Sequence, residues 1–354
     1  MKFYLPTDEK IRILGRTVKQ DPLPLFWTGS GVEFMINGTE LCFVLTADHD
    51  LYEEWIRVEL DGETMIRMPL NKGENRVTIY RGLNPEEVRH VQLFKEVQAM
   101  PGDPEAMLLL NRIETDGTLQ ALPERDLKIE FIGDSLTSGE GLAGARQLMD
   151  WQSLVFSTKE SYTQIVAKEL NAEIRVLSQS GWGVFKSWDA KRECALPPYY
   201  EKVCGVLQGE RNAKLGAQEK NDFNAWQPDY IYVNLGSNDQ NEAVEPLTEG
   251  LKAEIGETIY HFLKLLRKCN PDALILYCCG QGPNKLKETS KNAVSRYIDD
   301  FSDEKVRFME LPYREIIPED HPEFLSEFMG SRNHPGPKAN HIHAESIIKE
   351  IREW

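Results

Sequence analysis

Three glycine-polar clusters and one histidine cluster are where this sequence could do chemistry. The first is Gly133-Asp134-Ser135-Leu136, inside "KIEFIGDSLTSGEG". A serine on the sharp turn leaving a strand is held at the rim of a sheet, where a nucleophile must sit, and the glycine before it permits the tight backbone. The same residues also make an ordinary turn. The second cluster is "LSQSGWGV", with Ser180, Gly181 and Gly183; the third is "VNLGSNDQ", with Gly236, Asn238 and Asp239. A serine attacking an ester needs donors aimed at the developing oxyanion, which backbone N–H groups beside glycine and an asparagine amide supply. Each fragment alone could be a turn; three in series, each directly after a strand-like apolar run, are hard to dismiss. The fourth cluster, "NHPGPKANHIHAE", holds His334, His341 and His343. These could be metal ligands, part of a catalytic apparatus, or helix surface.

The elements that must position them change character near "LPERDLK". Before it, period-two alternation predicts strands. "VEFMINGTELCFVL" reads as a hairpin at Asn37-Gly38 and "IRVELDGETMIRM" as another at Asp61-Gly62, with Ile56, Val58 and Leu60 on one face. "RVTIY" and "HVQLFKEV" continue the pattern, so residues 1–124 are expected to form a β-sandwich or jelly-roll-like domain. In residues 125–354 the strands "KIEFIGD", "EIRVLS", "DYIYVNLG", "ALILYCC" and "VRFMEL" alternate with helices. Those are expected near Tyr162–Leu170, Leu247–Cys269, Lys285–Asp299 and Pro337–Glu353. That alternation is the grammar of an α/β fold with a doubly wound parallel sheet, which binds ligands beyond the carboxyl ends of its strands. The long connections Gly139–Ser161 and Val184–Ala225 are expected to wall the site.

The order "GDSL", "SG", "GSND", "HP" resembles the four sequence blocks of the SGNH, or GDSL, hydrolases. The phrases "GRTVKQDPLPLFWTGS" and "KIEFIGDS" make the chain most similar to carbohydrate esterase family two, whose members place a β-sandwich before the hydrolase domain. The resemblance implies Ser135 as nucleophile and His334 as general base and then acid. It implies an oxyanion hole made by the N–H groups of Ser135 and Gly181 and the side chain of Asn238. Asp134 and Asp239 are expected to brace turns. The superfamily's aspartate, three residues before the histidine, is here Ser331. Family-two esterases commonly lack it and are described as Ser-His dyads, so a backbone carbonyl is expected to hold His334, with Glu140, Asp150 or Glu327 as alternatives. His341 and His343, two residues apart on a helix, point about 200° from each other and cannot easily share an ion, so no metal is expected. His321-Pro322 lacks the glycine-rich turn before a helix and is set aside.

The resemblance further implies removal of O-acetyl groups from plant-polysaccharide fragments of xylan or mannan type, with no cofactor and a small acetylated oligosaccharide as partner. The alternatives are a general esterase or lipase for small acyl esters, and a carbohydrate-binding protein without turnover. Among the aromatic residues expected at the rim (Trp151, Trp182, Trp188, Tyr199, Tyr200 and Trp226), Trp182 is favoured for ligand contact because it follows Gly181. A net charge of -16 over 354 residues argues against nucleic acid or an anionic membrane surface as a partner. The six cysteines show no CxxC spacing, and reduced thiols are expected. The start of the chain has no signal-peptide pattern, which gives a cytoplasmic expectation. Oligomeric state leaves no mark in the sequence.

Overall fold

A computed structural model describes residues 1–280, 284–311 and 328–354. The chain divides into two compact units. One is Met1–Glu124 with Trp151–Phe156 and Lys202–Asn221; the other is Arg125–Asp150, Ser157–Glu201 and Asp222–Trp354. Two stretches of the long connections that were expected to wall the site therefore belong to the first unit.

The first unit has two antiparallel sheets. One orders its strands Lys2–Tyr4, Met107–Thr115, Glu40–Asp48, Gly73–Arg81; the other Leu119–Gln120, Gly31–Ile36, Arg89–Lys95, Trp55–Leu60, Glu63–Pro69. Between them lies a core that includes Val32, Phe34 and Ile36 from one sheet and Leu41, Phe43 and Leu45 from the other. Phe34 and Phe43 meet edge to face at 6.0 Å. The Asp61-Gly62 hairpin forms, pairing Leu60 with Glu63 across two positive φ angles.

The Asn37-Gly38 hairpin does not form. The strands on its two sides enter different sheets, so the segment is an arch across the sandwich. Its glycine serves a close approach: a Cβ on Gly38 would lie 2.6 Å from the Gly117 Cα. Asp116 accepts from the N–H groups of Thr39 and Glu40, and the Asn37 side chain accepts from Thr118, pinning two loops together.

The second unit has five parallel strands in the order Ala172–Ser178, Leu127–Gly133, Tyr230–Asn234, Leu274–Cys278, Val306–Phe308. Its longer helices are Tyr162–Glu169, Glu249–Cys269, Lys287–Phe301 and Pro337–Arg352, within two residues of the expected bounds. Ile129, Phe131, Val176 and Tyr232 of the sheet pack with Tyr162 and Val166 of one helix and Ala344, Ile347 and Ile351 of another.

A polar chain runs through this apolar layer. His343 stacks on Tyr162 with ring centroids 4.0 Å apart, and its Nε2 is 2.6 Å from the Tyr232 hydroxyl. The Tyr162 hydroxyl in turn meets Thr137 Oγ1 at 2.6 Å. Burial penalises the imidazolium and pushes the His343 pKa down to about 3, from 6.5. Between those values the unfolded chain binds a proton that the folded chain refuses. Stability is thus complete above pH 6.5 and falls as pH drops toward 3, by about 1.4 kcal/mol per pH unit for this group. Urea unfolding at several pH values should show a shallower acid decline in His343→Gln than in the wild type. Equal slopes would remove this residue from the acid response.

Candidate active site

The strand Leu127–Gly133, second in the parallel sheet, runs through Asp134 into a helical turn, Ser135–Ser138. Gly133 permits this because any Cβ there would meet Thr137 Oγ1 at 1.9 Å. Asp134 caps the turn: its Oδ1 accepts from the Leu136 N–H at 3.1 Å, and its carbonyl accepts from Thr137 and Ser138. The Ser135 N–H, first in the helix, has no intrahelical acceptor. The Ser135 side chain is nearly buried, and its Oγ lies 2.9 Å from His334 Nε2.

His334 follows the short turn Ser331–Asn333 and precedes the last helix. Its Nδ1 is 3.0 Å from the Arg332 carbonyl oxygen. A carbonyl can only accept, so Nδ1 carries the proton and Nε2 turns its lone pair toward the Ser135 hydroxyl. Arg332 and Asn333 both sit in the left-handed region, at φ 57° and 55°. Asparagine tolerates that conformation; arginine adopts it at a cost of about 1–2 kcal/mol.

No carboxylate among the described residues bonds Nδ1. Ser331 is fully buried and gives its hydroxyl to the Ala143 carbonyl at 2.8 Å. Glu140 is buried on the other side of the ring, with Oε1 3.8 Å from Nε2 and 2.7 Å from Arg332 Nε. Asp150 is exposed. Glu327 and His321 lie outside the described residues.

The two neighbouring strand ends flank this turn. Gly181 has φ 76°, and a Cβ there would meet Trp188 Cδ1 at 2.7 Å; its carbonyl accepts from the Trp188 N–H. The Asn238 amide donates to the Trp182 carbonyl at 2.8 Å and to Asp134 Oδ2 at 3.3 Å, which fixes its orientation. Asp239 is fully buried and accepts from the N–H groups of Val184, Phe185 and Lys186, tying the second cluster to the third. Burial pushes the Asp239 carboxyl up, and it pushes Asp134 up to about 7 against the Leu136 N–H, which favours the anion.

The rim aromatics separate. The Trp182 ring is buried against Tyr199, and Tyr200 is buried with its hydroxyl donating to Glu130. Trp151 packs in the first unit on Tyr52 and Phe156. Trp226 is buried and donates to Glu173. Trp188, at 56% exposure, is the one beside Gly181 that stays open to solvent. His343 is buried and His341 faces Glu160 at the surface, so the histidine trio is dispersed. Together the geometry offers a hydroxyl nucleophile and a base with its tautomer set, with Gly181 and Asn238 just beyond the two flanking strands. Sequence reasoning named Glu140 among the alternatives for holding His334 but missed its pairing with Arg332, for which no spacing gives a signal.

Residues 129–347 match the GDSL-like lipase/acylhydrolase family, and residues 13–123 match the carbohydrate esterase 2 N-terminal domain. An acetyl xylan esterase from the rumen bacterium Butyrivibrio proteoclasticus has a structure similar to this chain. The TM-score is 0.92 at 36% identity, covering 99% of this chain and 98% of that one. An acetylxylan esterase/glucomannan deacetylase of Cellvibrio japonicus is 26% identical over 280 residues, 76% of this chain and 71% of its own. A cellulase/esterase of Acetivibrio thermocellus is 26% identical over 336 residues, covering 92% of this chain; the match spans 37% of that protein's length.

The closeness of the two loops generates a test. Gly141 has φ 89°, and a Cβ there would lie 2.5 Å from His334 Cβ and 2.8 Å from the Ser331 carbonyl. Gly141→Ala should displace the imidazole by a fraction of an ångström to an ångström. The rate of Ser135 labelling by an organophosphonate should then fall by roughly 100-fold, the scale of such misplacements. Unchanged labelling would mean that His334 does not activate Ser135.

Proposed function

We propose, because this chain belongs to the GDSL-like lipases and acylhydrolases and to their carbohydrate esterase 2 branch, that it is a serine esterase removing O-acetyl groups from carbohydrates. Ser135 Oγ attacks the acetyl carbonyl as its proton passes to His334 Nε2. The oxyanion is met by the N–H groups of Ser135 and Gly181 and by the Asn238 amide, which releases its longer bond, 3.3 Å to Asp134 Oδ2, to reach it. Collapse expels the sugar oxygen, which takes the proton back from Nε2 and leaves acetyl on Ser135. Water, deprotonated by the same nitrogen, then attacks the acetyl carbon; Ser135 Oγ leaves, takes that proton from Nε2, and acetate is released. The observation that carries this reading is the pair of contacts on one imidazole: 2.9 Å to Ser135 Oγ and 3.0 Å to the Arg332 carbonyl. That carbonyl stands beside the Ser-His dyad where a triad would have its aspartate.

The substrate class is an acetylated oligosaccharide of xylan or mannan type. The names of the similar proteins support it, and so does Trp188, whose exposed indole beside Gly181 suits the apolar face of a sugar ring. Trp182, buried against Tyr199, contributes its carbonyl to Asn238 instead of a ring to the ligand.

Acetate release from acetylated xylo- and manno-oligosaccharides tests the proposal. Ser135→Ala and His334→Ala should abolish it, and Asn238→Ala should lower turnover on the order of 100-fold. Good hydrolysis of alkyl acetates with none of the acetylated sugars would favour the small-ester reading. Trp188→Ala should raise KM for the oligosaccharides about tenfold while leaving turnover of a small aryl acetate unchanged. An equal effect on both substrates would remove the platform.

A further inference from the structure

We infer that Glu140 and Arg332 form a positioning pair that does the work of the missing triad aspartate from outside the Nδ1 position. The inference rests on the reading of Ser135 and His334 given above. The geometry points to it in three ways. First, the loop after the nucleophile is stitched to the loop before the base: Ser331 N donates to the Gly141 carbonyl at 3.0 Å, Ser331 Oγ to Ala143, and Arg332 N to Leu148 at 2.9 Å. Arg332 Nη1 also reaches the Met149 carbonyl. Glu140 closes the circuit, because its N–H donates to the Ser135 carbonyl at 3.1 Å while its carboxylate holds Arg332 Nε at 2.7 Å.

Second, the carbonyl that fixes the tautomer belongs to a residue in a strained conformation. Arginine at φ 57° persists only where its surroundings over-determine it. The bond to Glu140 is the charge-assisted part of that restraint. Third, Glu140 sits 3.8 Å from Nε2, the nitrogen that becomes N–H⁺ when Ser135 is deprotonated. It therefore stabilises the imidazolium, and the Arg332 guanidinium opposes it. Among the described residues, the charged and titratable groups about the ring are these two and Asp134, which lies close enough for the Glu140 charge to raise its pKa.

The pair thus couples placement and charge, and the two can be separated. Kinetics on an acetylated oligosaccharide, with pH profiles of kcat/KM, should be measured for Glu140→Ala, Glu140→Gln and Arg332→Ala. Glu140→Ala should lose roughly 100-fold in kcat at unchanged KM. Glu140→Gln should stay within about tenfold of the wild type, because its amide oxygen still accepts from Arg332 Nε. The acid limb of kcat/KM should move to lower pH in Glu140→Gln, where an anion is lost, and to higher pH in Arg332→Ala, where a cation is lost. A purely structural role would not shift the limbs in opposite directions. Limbs that stay fixed or move together, or a Glu140→Ala kcat within threefold of wild type, would overturn the inference. If Glu140→Ala fails to fold, Glu140→Gln and Arg332→Ala still decide it. Ser135→Ala and His334→Ala run alongside: activity surviving in them sinks the dyad, whereas activity lost in them alone sinks only the pair.

Discussion

The structure of the second unit is organised about one imidazole held between two oxygens, Ser135 Oγ at 2.9 Å and the Arg332 carbonyl at 3.0 Å. A ring nitrogen can take the serine proton only if the other is already protonated, and a carbonyl guarantees that as surely as a carboxylate does. What a carbonyl gives less of is stabilisation of the imidazolium. The chain therefore needs the ring to be well placed, and its backbone is spent on placement. Gly141 lacks a side chain because His334 and Ser331 occupy the space, and Gly330 lacks one because the Gly141 carbonyl does.

The order of the strands explains why the three clusters meet. The strand that leads into Ser135 lies between the strand ending at Ser178 and the strand ending at Asn234. The clusters after those strands, with Gly181 and Asn238, therefore stand on either side of Ser135. Consecutive strands that step first to one side and then to the other create the crevice in which open parallel sheets bind ligands. Asp134 and Asp239 then tie the three turns into one rim through backbone N–H groups and the Asn238 amide.

Features set by local chemistry were legible in the sequence. Strand-helix alternation marked all five parallel strands, and the Asp61-Gly62 turn declared its hairpin. Features set by packing between distant segments were not. Asn37-Gly38 has the residues of a hairpin, but its glycine answers to Gly117, 79 residues away in the chain. The strand Met107–Thr115 escaped notice because Leu108, Leu109 and Leu110 break the alternation and its register shifts between Leu110 and Arg112. Trp182 follows Gly181 in the chain, and Trp188 meets it in space. Only burial distinguishes the ring that packs from the ring that faces solvent. The Glu140–Arg332 pair spans most of the domain's sequence and follows no periodic rule.

The costs in this unit collect around the same imidazole. Asp134 is fully buried, and raising its carboxyl to about 7 makes its ionised form at neutral pH a burden on the order of 4 kcal/mol. Arg332 holds a backbone conformation that suits glycine. Both would be relieved by simple substitutions, and both sit where relief would loosen the geometry: Asp134 orients Asn238 and caps the Ser135 turn, and Arg332 carries the carbonyl that sets the tautomer. The apolar layer beneath, where Phe131, Tyr162, Tyr232 and Ile347 pack without solvent, supplies the stability against which these local costs are set. A site assembled from backbone groups cannot be adjusted one side chain at a time. Its precision resides in loops that fix each other, and strain concentrated there is the physical record of that arrangement.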